Sequence, residues 1–353
     1  MLHTEPPPRT QRDSESGAQA PVLFDVADLF VRKRDGAALI SGVSFQIRRQ
    51  EVFGLVGESG SGKTLTALAS MGLLPDGLTA SGAVRLNGMH LLAKPERHMR
   101  SIRGSQIGMI FQEPVAALNP VFTVGAQIEA ALRAHRRMGR HEAHEAAIHA
   151  LARVRIPNPG ERVNDYPHQF SGGMCQRIMI AMAISGGAKL LIADEPTTAL
   201  DVTIQHEIIQ LLRELVSQDG LSVLFISHDL GLVAQFCDRL AVAYAGEIVE
   251  TGPARAILTD PRHPYTRGLV RCVVDMDEIG ILRRGIPGSP PLAGTWPDGC
   301  RFRARCEMAQ SGCESAQQLE FSTALREVRC WRSEPDPRGA ATAPPHLPGG
   351  AQP

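Results

Sequence analysis

The chain has 353 residues, enough for one large domain with a sizeable buried core and a smaller second domain. Its 37 basic residues (Lys and Arg) balance its 37 acidic residues, and this balance argues against an extended nucleic-acid-binding surface, which needs surplus positive charge. No apolar run reaches the roughly 18 residues of a membrane-spanning helix, so the sequence predicts no such span.

The two ends of the chain have the composition of disordered tails. Residues 1–20 contain three consecutive prolines, scattered charge and no apolar core, which is unlike a secretion signal. Residues 336–353 are rich in proline, glycine and alanine. Without an export signal, we expect the chain to stay in the cytoplasm, where thiols are kept reduced.

The middle of the chain alternates apolar strands with helices. Alternating residues predict strands from Pro21 to Val31 and from Gly42 to Ile47, and a short apolar strand, a glycine-rich loop and a helix follow from Glu51. Helical spacing dominates from Thr123 to about Ile184. The strand "KLLIADEP", the amphipathic helix "DVTIQHEIIQLLRELVSQDG" and the strand "LSVLFISHD" come next. This alternation predicts a mainly parallel sheet covered by helices on both faces.

The character of the sequence changes after about Asp260. Proline and glycine become frequent, and the helical period fades. Five of the seven cysteines lie in this last part of the chain, four of them from Cys300 onward. We therefore predict a domain boundary near residue 261.

The stretch "GESGSGKT" matches a phosphate-binding loop. Its glycines let successive backbone N–H groups point at phosphates, and the helix that follows presents its positive end. Lys63 is expected to reach the β- and γ-phosphates of a nucleotide, and Thr64 to bind Mg²⁺. The predicted ATP-binding residues of this loop are Gly57, Glu58, Ser59, Gly60, Ser61, Gly62, Lys63 and Thr64.

Two acids end the apolar strand "LLIADE". Alone they would simply mark a strand end, but beside a phosphate loop Asp194 can hold the metal ion through water. Glu195 can polarise the water that attacks the γ-phosphate. The pair predicts hydrolysis of ATP at this site.

Further motifs identify the type of ATPase. "FSGGMCQR", preceded by "FQEPVAALNP" and followed by "TALD" and "ISHD", resembles the ATP-binding cassette (ABC) ATPases over residues 21–261. The resemblance implies an α/β fold, a P-loop cassette with an N-terminal antiparallel β part and a helical signature subdomain at about 113–186. We expect a small cysteine-bearing C-terminal domain at 262–335 in addition.

The family resemblance also implies roles for residues outside the phosphate loop. Two cassettes face head to tail, so that the signature of one contacts the ATP of the other. Gln112 senses the γ-phosphate, takes part in the Mg²⁺ site and couples to the membrane partner, and His228 contacts the γ-phosphate. Asp201 lies in the loop that crosses the dimer. The signature residues are Ser171, Gly172, Gly173 and Met174.

The sequence departs from the family pattern at three places. Met174 follows the signature glycines where glutamine is usual. Cys175 occupies a position where arginine is usual, and we expect its thiol to be exposed. The aromatic residue that stacks on adenine is replaced by Lys33, with Phe30 out of phase, so Lys33 or Arg32 is expected to contact the base.

The C-terminal part points to a subclass of transporter. "DPRHPYTRGLV" and "IPGSPPLAGTWPDGCRFRARC" resemble the tail of dipeptide/oligopeptide import ATPases, closest to the D-type subunit. The resemblance implies a second, F-type ATPase subunit, two membrane permease subunits and, indirectly, an extracytoplasmic substrate-binding protein. The chain would then sit peripherally on the cytoplasmic face of the cell membrane. A nickel or other small-solute importer is the nearest alternative, and a cassette ATPase acting on nucleic acid is disfavoured by the neutral charge.

Four cysteines remain to be explained. Their spacing lacks the C-x2-C pairs of common zinc sites and differs from the usual ferredoxin runs. The resemblance to some peptide import ATPases favours a [4Fe–4S] cluster, while a tetrahedral Zn²⁺ site and plain reduced thiols stay open as alternatives. The candidate ligands are Cys300, Cys306, Cys313 and Cys330.

Overall fold

The structure is a computed structural model that describes residues 20–112, 117–198, 200–274, 285–323 and 325–332. The predicted tail at 336–353 lies outside the described residues, as does the tail at 1–20 except for Ala20. The strands are β1 (Val22–Lys33), β2 (Ala38–Arg48), β3 (Val52–Val56), β4 (Leu78–Leu86), β5 (Met89–His90), β6 (Ile107–Ile110), β7 (Leu190–Asp194), β8 (Ser222–Ser227), β9 (Arg239–Tyr244), β10 (Glu247–Pro253), β11 (Glu320–Thr323) and β12 (Arg326–Val328). The helices are α1 (Lys63–Met71), α2 (Glu96–Ile102), α3 (Val124–His135), α4 (Arg140–Arg153), α5 (Pro159–Arg162), α6 (Gly172–Ser185), α7 (Val202–Asp219), α8 (Leu230–Phe236), α9 (Ala254–Thr259) and α10 (Pro264–Val274).

Two sheets form the centre of the described fold. The larger has the order β11-β12-β10-β9-β3-β8-β7-β6, and the pairs from β9 to β6 are parallel. The smaller is antiparallel, with the order β2-β1-β4-β5. The strands β3, β7 and β8 are buried along their whole length, as expected for parallel strands that helices cover on both faces. The predicted α/β cassette with an N-terminal antiparallel part is confirmed.

Two hydrophobic clusters hold these layers together. One lies between the larger sheet and helices α6, α7 and α8, and includes Ile178, Leu212 and Val233. The other joins α1 and the two sheets, where Phe45 stacks on Phe53 with ring centroids 5.2 Å apart. The two clusters therefore fix the positions of the carboxyl ends of β3 and β7, and the candidate site lies at these ends.

The helix that follows β7 begins and ends where its sequence predicts. The side chain of Asp201 accepts a hydrogen bond from the Ile204 N–H at 3.0 Å, which caps the N-terminus of α7. Gly220 ends the helix in the left-handed conformation, with φ of 65°. Ile208 and Leu212 lie on the buried face of this amphipathic helix.

The region from 117 to 186 is helical apart from its connections, and residues 113–116 of the predicted helical subdomain lie outside the described residues. Helix α3 starts after Thr123, whose hydroxyl accepts a hydrogen bond from the Ala126 N–H at 3.2 Å. Helices α3, α4 and α6 pack on one another, and α6 also packs on β6. This arrangement attaches the helices to the edge of the larger sheet.

Part of the C-terminal region extends the larger sheet. Strand β12 pairs antiparallel with β10, with Glu250 opposite Val328 and Thr251 opposite Glu327. The fully buried carboxylate of Glu250 accepts a hydrogen bond from Arg326 Nε at 3.0 Å. The last described strands are thus bound to the cassette by both backbone pairing and a buried ion pair. None of the described helices has the length and apolar character needed to cross a bilayer.

Candidate nucleotide-binding site

The loop from Gly57 to Gly62 connects β3 to α1. Gly57 has φ of 152°, and a Cβ atom there would lie 2.1 Å from the Ala243 carbonyl oxygen. No other residue fits at this position without moving β9. The N-terminus of α1 follows at Lys63, so its unpaired N–H groups are available beside the loop, as in an anion-binding site.

Lys63 is folded over the loop that precedes it. Its Nζ donates hydrogen bonds to the carbonyl oxygens of Gly57, at 2.8 Å, and Glu58, at 3.0 Å. Burial lowers the pKa of this ammonium group, although Glu195, Asp194 and Glu58 act to raise it. A phosphate group in the loop would offer Lys63 a stronger, charged partner than these carbonyls.

Thr64 and Asp194 bring a hydroxyl and a carboxylate together beside the loop. Thr64 Oγ1 donates to Asp194 Oδ1 at 3.2 Å. Burial raises the pKa of Asp194, while the hydrogen bond from Thr64 acts in the opposite direction. Oxygen donors of this kind suit Mg²⁺, which commonly takes one or two protein ligands and completes its shell with phosphates and water.

Glu195 is the centre of a polar network at the end of β7. Its Oε2 accepts hydrogen bonds from Thr198 Oγ1 at 2.9 Å and from Gln112 Nε2 at 3.2 Å, and it lies 3.2 Å from His228 Nδ1. The backbone of Glu195 has φ of 48°, a left-handed conformation that is uncommon for a non-glycine residue, and its N–H donates to the Ile226 carbonyl. Such strain tends to occur at functional sites.

The structure thus brings together residues from four motifs that are far apart in the sequence. These are Thr64 of the phosphate loop, the acids Asp194 and Glu195, Gln112, and His228. Thr198 was not predicted, because "PTTALD" contains two adjacent threonines and nothing in their spacing distinguishes the one that reaches Glu195. Only its position could have indicated this role. Thr198 lies three residues after Glu195, in a turn where the Thr198 N–H donates a hydrogen bond to the Glu195 carbonyl.

The signature residues lie at the start of α6. The side chain of Ser171 caps this helix by accepting a hydrogen bond from the Met174 N–H at 3.3 Å. Ser171 and Gly172 are exposed, whereas Gly173 is buried so closely against α7 that a Cβ atom would lie 2.5 Å from Ile204 Cγ2. In the described residues, no hydrogen bond joins the signature to the phosphate loop of the same chain.

Two further expectations concern the exposure of Cys175 and the contact of Lys33 or Arg32 with adenine. The expected exposure of Cys175 is wrong: this thiol is 1% exposed and lies in the hydrophobic core, with Sγ 3.5 Å from the Pro167 carbonyl oxygen. The expected contact between adenine and Lys33 or Arg32 stays a prediction. The guanidinium of Arg32 lies over the Phe30 ring, 5.3 Å from its centroid.

The four C-terminal cysteines line one small cavity. Apolar side chains, including Phe302 and Trp331, form much of its remaining wall. Burial, and then the neighbouring thiols, raise the pKa of Cys300 to about 11, and burial raises the pKa of Cys306 and Cys330. All four thiols are free. Within the described ranges, no three His, Cys, Asp or Glu side chains are grouped so that they could hold a metal ion.

Comparison with known proteins places this geometry in a family. A family model described as "ABC transporter" matches residues 40–198, and one described as "Oligopeptide/dipeptide transporter, C-terminal region" matches residues 249–313. The chain is 43% identical to the oligopeptide transport ATP-binding protein OppD of Salmonella typhimurium over 326 residues, which cover 90% of this chain and 97% of that protein. It is 45% identical to the dipeptide transport ATP-binding protein DppD of Bacillus subtilis over 295 residues, covering 83% and 88%.

A solved structure supports the fold. The dimeric structure of MJ0796, described as a bacterial ABC transporter cassette, matches with a TM-score of 0.59 and 26% identity. The match covers 66% of this chain and 99% of that one. The chain therefore belongs to the ABC transporter family, as an ATP-binding subunit of the oligopeptide/dipeptide type.

Proposed function

We propose that the chain hydrolyses ATP at the loop from Gly57 to Thr64 and uses the reaction to power the import of dipeptides or oligopeptides. The observation that carries this proposal is the network at Glu195, where Gln112, Thr198 and His228 hold one carboxylate beside a phosphate loop. In phosphoryl transfer, positioning and charge neutralisation supply most of the catalysis, and these residues suit both tasks.

Each residue then has a definite task. Lys63 exchanges its two loop carbonyls for phosphate oxygens of ATP. Glu195 Oε2 accepts a proton from a water molecule whose oxygen attacks the γ-phosphorus, and the bond from that phosphorus to the ADP oxygen breaks. Gln112 and His228 orient the carboxylate and contact the γ-phosphate. Mg²⁺ bound with ATP would be held by Thr64 and Gln112, and by Asp194 through water, and would supply positive charge at the phosphates.

The exposed signature favours a composite site made by two ATPase subunits. The N-terminus of α6 carries Ser171 and Gly172 on the surface, where its unpaired N–H groups could contact the ATP of a facing cassette. The half-buried Met174 and the exposed Asp201 would complete this contact surface, whereas the predicted signature residue Gly173 is buried against α7. We propose that the facing cassette is a different, F-type subunit rather than a second copy of this chain.

An apolar groove beside Gln112 suits the membrane subunits. It lies between the larger sheet and the helical region, and its apolar walls include Met71, Leu73, Met109, Phe111, Met179 and Met182. Phe111 is 44% exposed and immediately precedes Gln112. Methionine-rich walls adapt to the shape of a partner, so we propose that each permease subunit inserts a short apolar helix into such a groove, at the cytoplasmic face of the membrane.

A surface substitution tests this docking. Phe111→Glu should abolish co-purification with the permease subunits, because it places a charge in the apolar groove. Leu325→Glu is a matched control, since Leu325 is also an exposed apolar residue but lies in the C-terminal region. Equal retention of both variants by the permeases would contradict the docking site.

The peptide substrate is inferred from the relatives and the C-terminal family match. Transport specificity would come from the extracytoplasmic binding protein and the permeases, which this chain contacts directly or indirectly. Peptide-stimulated ATPase activity of the reconstituted complex tests the proposal. Stimulation by nickel or another small solute, with none by peptides, would favour the alternative importers.

We further propose that Cys300, Cys306, Cys313 and Cys330 hold a [4Fe–4S] cluster. Four thiols that line one cavity, one buried and three partly buried, suit a group that binds each thiolate through a different iron. The cluster would join the segment from Cys300 to Cys313 to Cys330, which follows β12. Anaerobic purification should yield about four irons with matching sulfide per chain, and zinc alone or no metal would contradict this.

A further inference from the structure

A side chain from the C-terminal region forms an ion pair with a residue of the phosphate loop. Arg305 Nη1 donates to Glu58 Oε2 at 2.8 Å, and Nη2 donates to Glu58 Oε1 at 3.0 Å. This is a bidentate, charge-assisted contact between residues 247 positions apart. The Arg305 side chain is 6% exposed and that of Glu58 is 25% exposed, so water screens the pair weakly.

Contacts with residues outside the phosphate loop also fix the position of the Arg305 side chain. Its Nε donates to the Pro287 carbonyl at 2.9 Å, and Nη2 also donates to the Ile286 carbonyl at 3.3 Å. Nη1 lies 3.4 Å from the hydroxyl of the buried Tyr244. Because several groups fix the planar guanidinium, little side-chain freedom remains to be lost when it holds Glu58.

A second residue holds the backbone of Glu58. The hydroxyl of Tyr265, on α10, accepts a hydrogen bond from the Glu58 N–H at 2.9 Å. Tyr265 is fully buried and packs against Tyr244 with ring centroids 4.5 Å apart. The Glu58 carbonyl, in turn, accepts the hydrogen bond from Lys63 Nζ. Side chain, N–H and carbonyl of one loop residue are therefore all engaged, the first two by the C-terminal region.

We infer that Arg305 and Tyr265 are positioning residues for the phosphate loop, through which the C-terminal region raises the affinity of the site for ATP. The inference rests on the proposed placement of ATP at this loop. Two physical effects support it. The loop binds phosphates by the orientation of its backbone N–H groups, which the Tyr265 contact helps to fix. Arg305 also neutralises a carboxylate that would otherwise repel the phosphates.

The ion pair between Arg305 and Glu58 links nucleotide binding to the segment from Cys300 to Cys330 that carries the four cysteines, because Cys306 directly follows Arg305 in the chain. Coupling between two sites is reciprocal, so binding of nucleotide should stabilise this segment as well. Hydrogen exchange of the amides from 300 to 306 should therefore slow when nucleotide binds to the wild-type chain, and slow much less in Arg305→Gln.

Nucleotide titration of the full chain tests the inference. With Mg²⁺ and a non-hydrolysable ATP analogue, Arg305→Gln should raise the Kd about tenfold, or about 1.4 kcal/mol. Tyr265→Phe should raise it about threefold, since it removes one neutral hydrogen-bond acceptor. Arg305→Lys should fall between the wild type and Arg305→Gln, because it keeps the charge and loses the bidentate geometry.

A matched control lies two residues away. Arg303 is more exposed and pairs at 3.4 Å with Glu314, so Arg303→Gln removes the same charge from the same segment without touching the loop. Its Kd should stay within about twofold of the wild type. An equal loss in Arg303→Gln, or no loss in a folded Arg305→Gln, would overturn the inference. If Arg305→Gln does not fold, unchanged affinity in both Arg305→Lys and Tyr265→Phe would overturn it.

The same titration separates this inference from the proposed site. Lys63→Ala should abolish binding whether or not Arg305 matters, because Lys63 contacts the phosphates directly in the proposed complex. Retained binding in Lys63→Ala would refute the phosphate loop as the ATP site. Lost binding in Lys63→Ala together with unchanged binding in Arg305→Gln would refute the positioning role alone.

Discussion

Substitution of Glu195 by glutamine separates the binding of ATP from its hydrolysis. Glutamine has nearly the same shape, and its amide oxygen can still accept the hydrogen bonds from Thr198 and Gln112. It cannot take a proton from water. Loss of a general base typically slows a reaction by about 10²–10⁴-fold, which corresponds to about 2.7–5.5 kcal/mol of activation free energy.

The left-handed backbone conformation of residue 195 should not affect the comparison between Glu195→Gln and the wild type. Glu195 has φ of 48°, and glutamine meets the same steric cost there as glutamate, so the variant should fold as the wild type does. Thr198→Val is a useful companion, because it removes one hydrogen bond to the carboxylate and leaves the base in place. We expect it to slow hydrolysis by about tenfold, less than Glu195→Gln.

The assay is steady-state ATP hydrolysis by the purified complex with its partner ATPase, together with nucleotide binding. Glu195→Gln should bind ATP about as tightly as the wild type and accumulate as an ATP-bound closed dimer. Wild-type turnover in Glu195→Gln would refute the assignment of this residue as the base. A parallel loss of ATP binding would show instead that the carboxylate shapes the binding site.

Two further predictions concern the loop and the C-terminal attachment. Gly57→Ala should abolish nucleotide binding in an otherwise folded chain, because its Cβ atom would meet the Ala243 carbonyl oxygen at 2.1 Å; unchanged binding in a titration would contradict this. Glu250→Ala should lower the free energy of unfolding by about 3–5 kcal/mol, since among the described residues it leaves the buried Arg326 with only the more distant carboxylate of Asp260, 3.8 Å away. Glu314→Ala, at an exposed ion pair, should cost less than about 1 kcal/mol in the same denaturant titration, and equal losses would contradict the distinction.

Much of the fold and site could be predicted because local patterns determine them. The loop from Gly57 to Thr64, the acids after β7 and the helix capped by Asp201 each occupy a few consecutive residues. Their chemistry follows from residue type and spacing. The order of the motifs predicts which separate segments meet at the γ-phosphate. Gln112 and His228 do contact Glu195, and their roles at the γ-phosphate stay predictions.

Contacts between distant segments could not be predicted in this way. Nothing in the residues around Arg305 indicates that its partner is Glu58, because the contact depends on how the C-terminal region folds back on the cassette. The pairing of β12 with β10 has the same origin, since β12 is three residues long and has no clear alternation. Cys175 was predicted to be exposed because it lies next to the signature motif, yet its position on α6 turns it inward.

The most direct test of the proposed function is ATP hydrolysis by the complete transporter in liposomes. The chain would be reconstituted with its permeases and the second ATPase, and the binding protein would be added with or without peptide. We predict that peptide raises the hydrolysis rate and is itself carried across the bilayer, and that Lys63→Ala in this chain abolishes or strongly reduces both. Hydrolysis that peptides do not stimulate, or peptide transport that survives Lys63→Ala unchanged, would contradict the account.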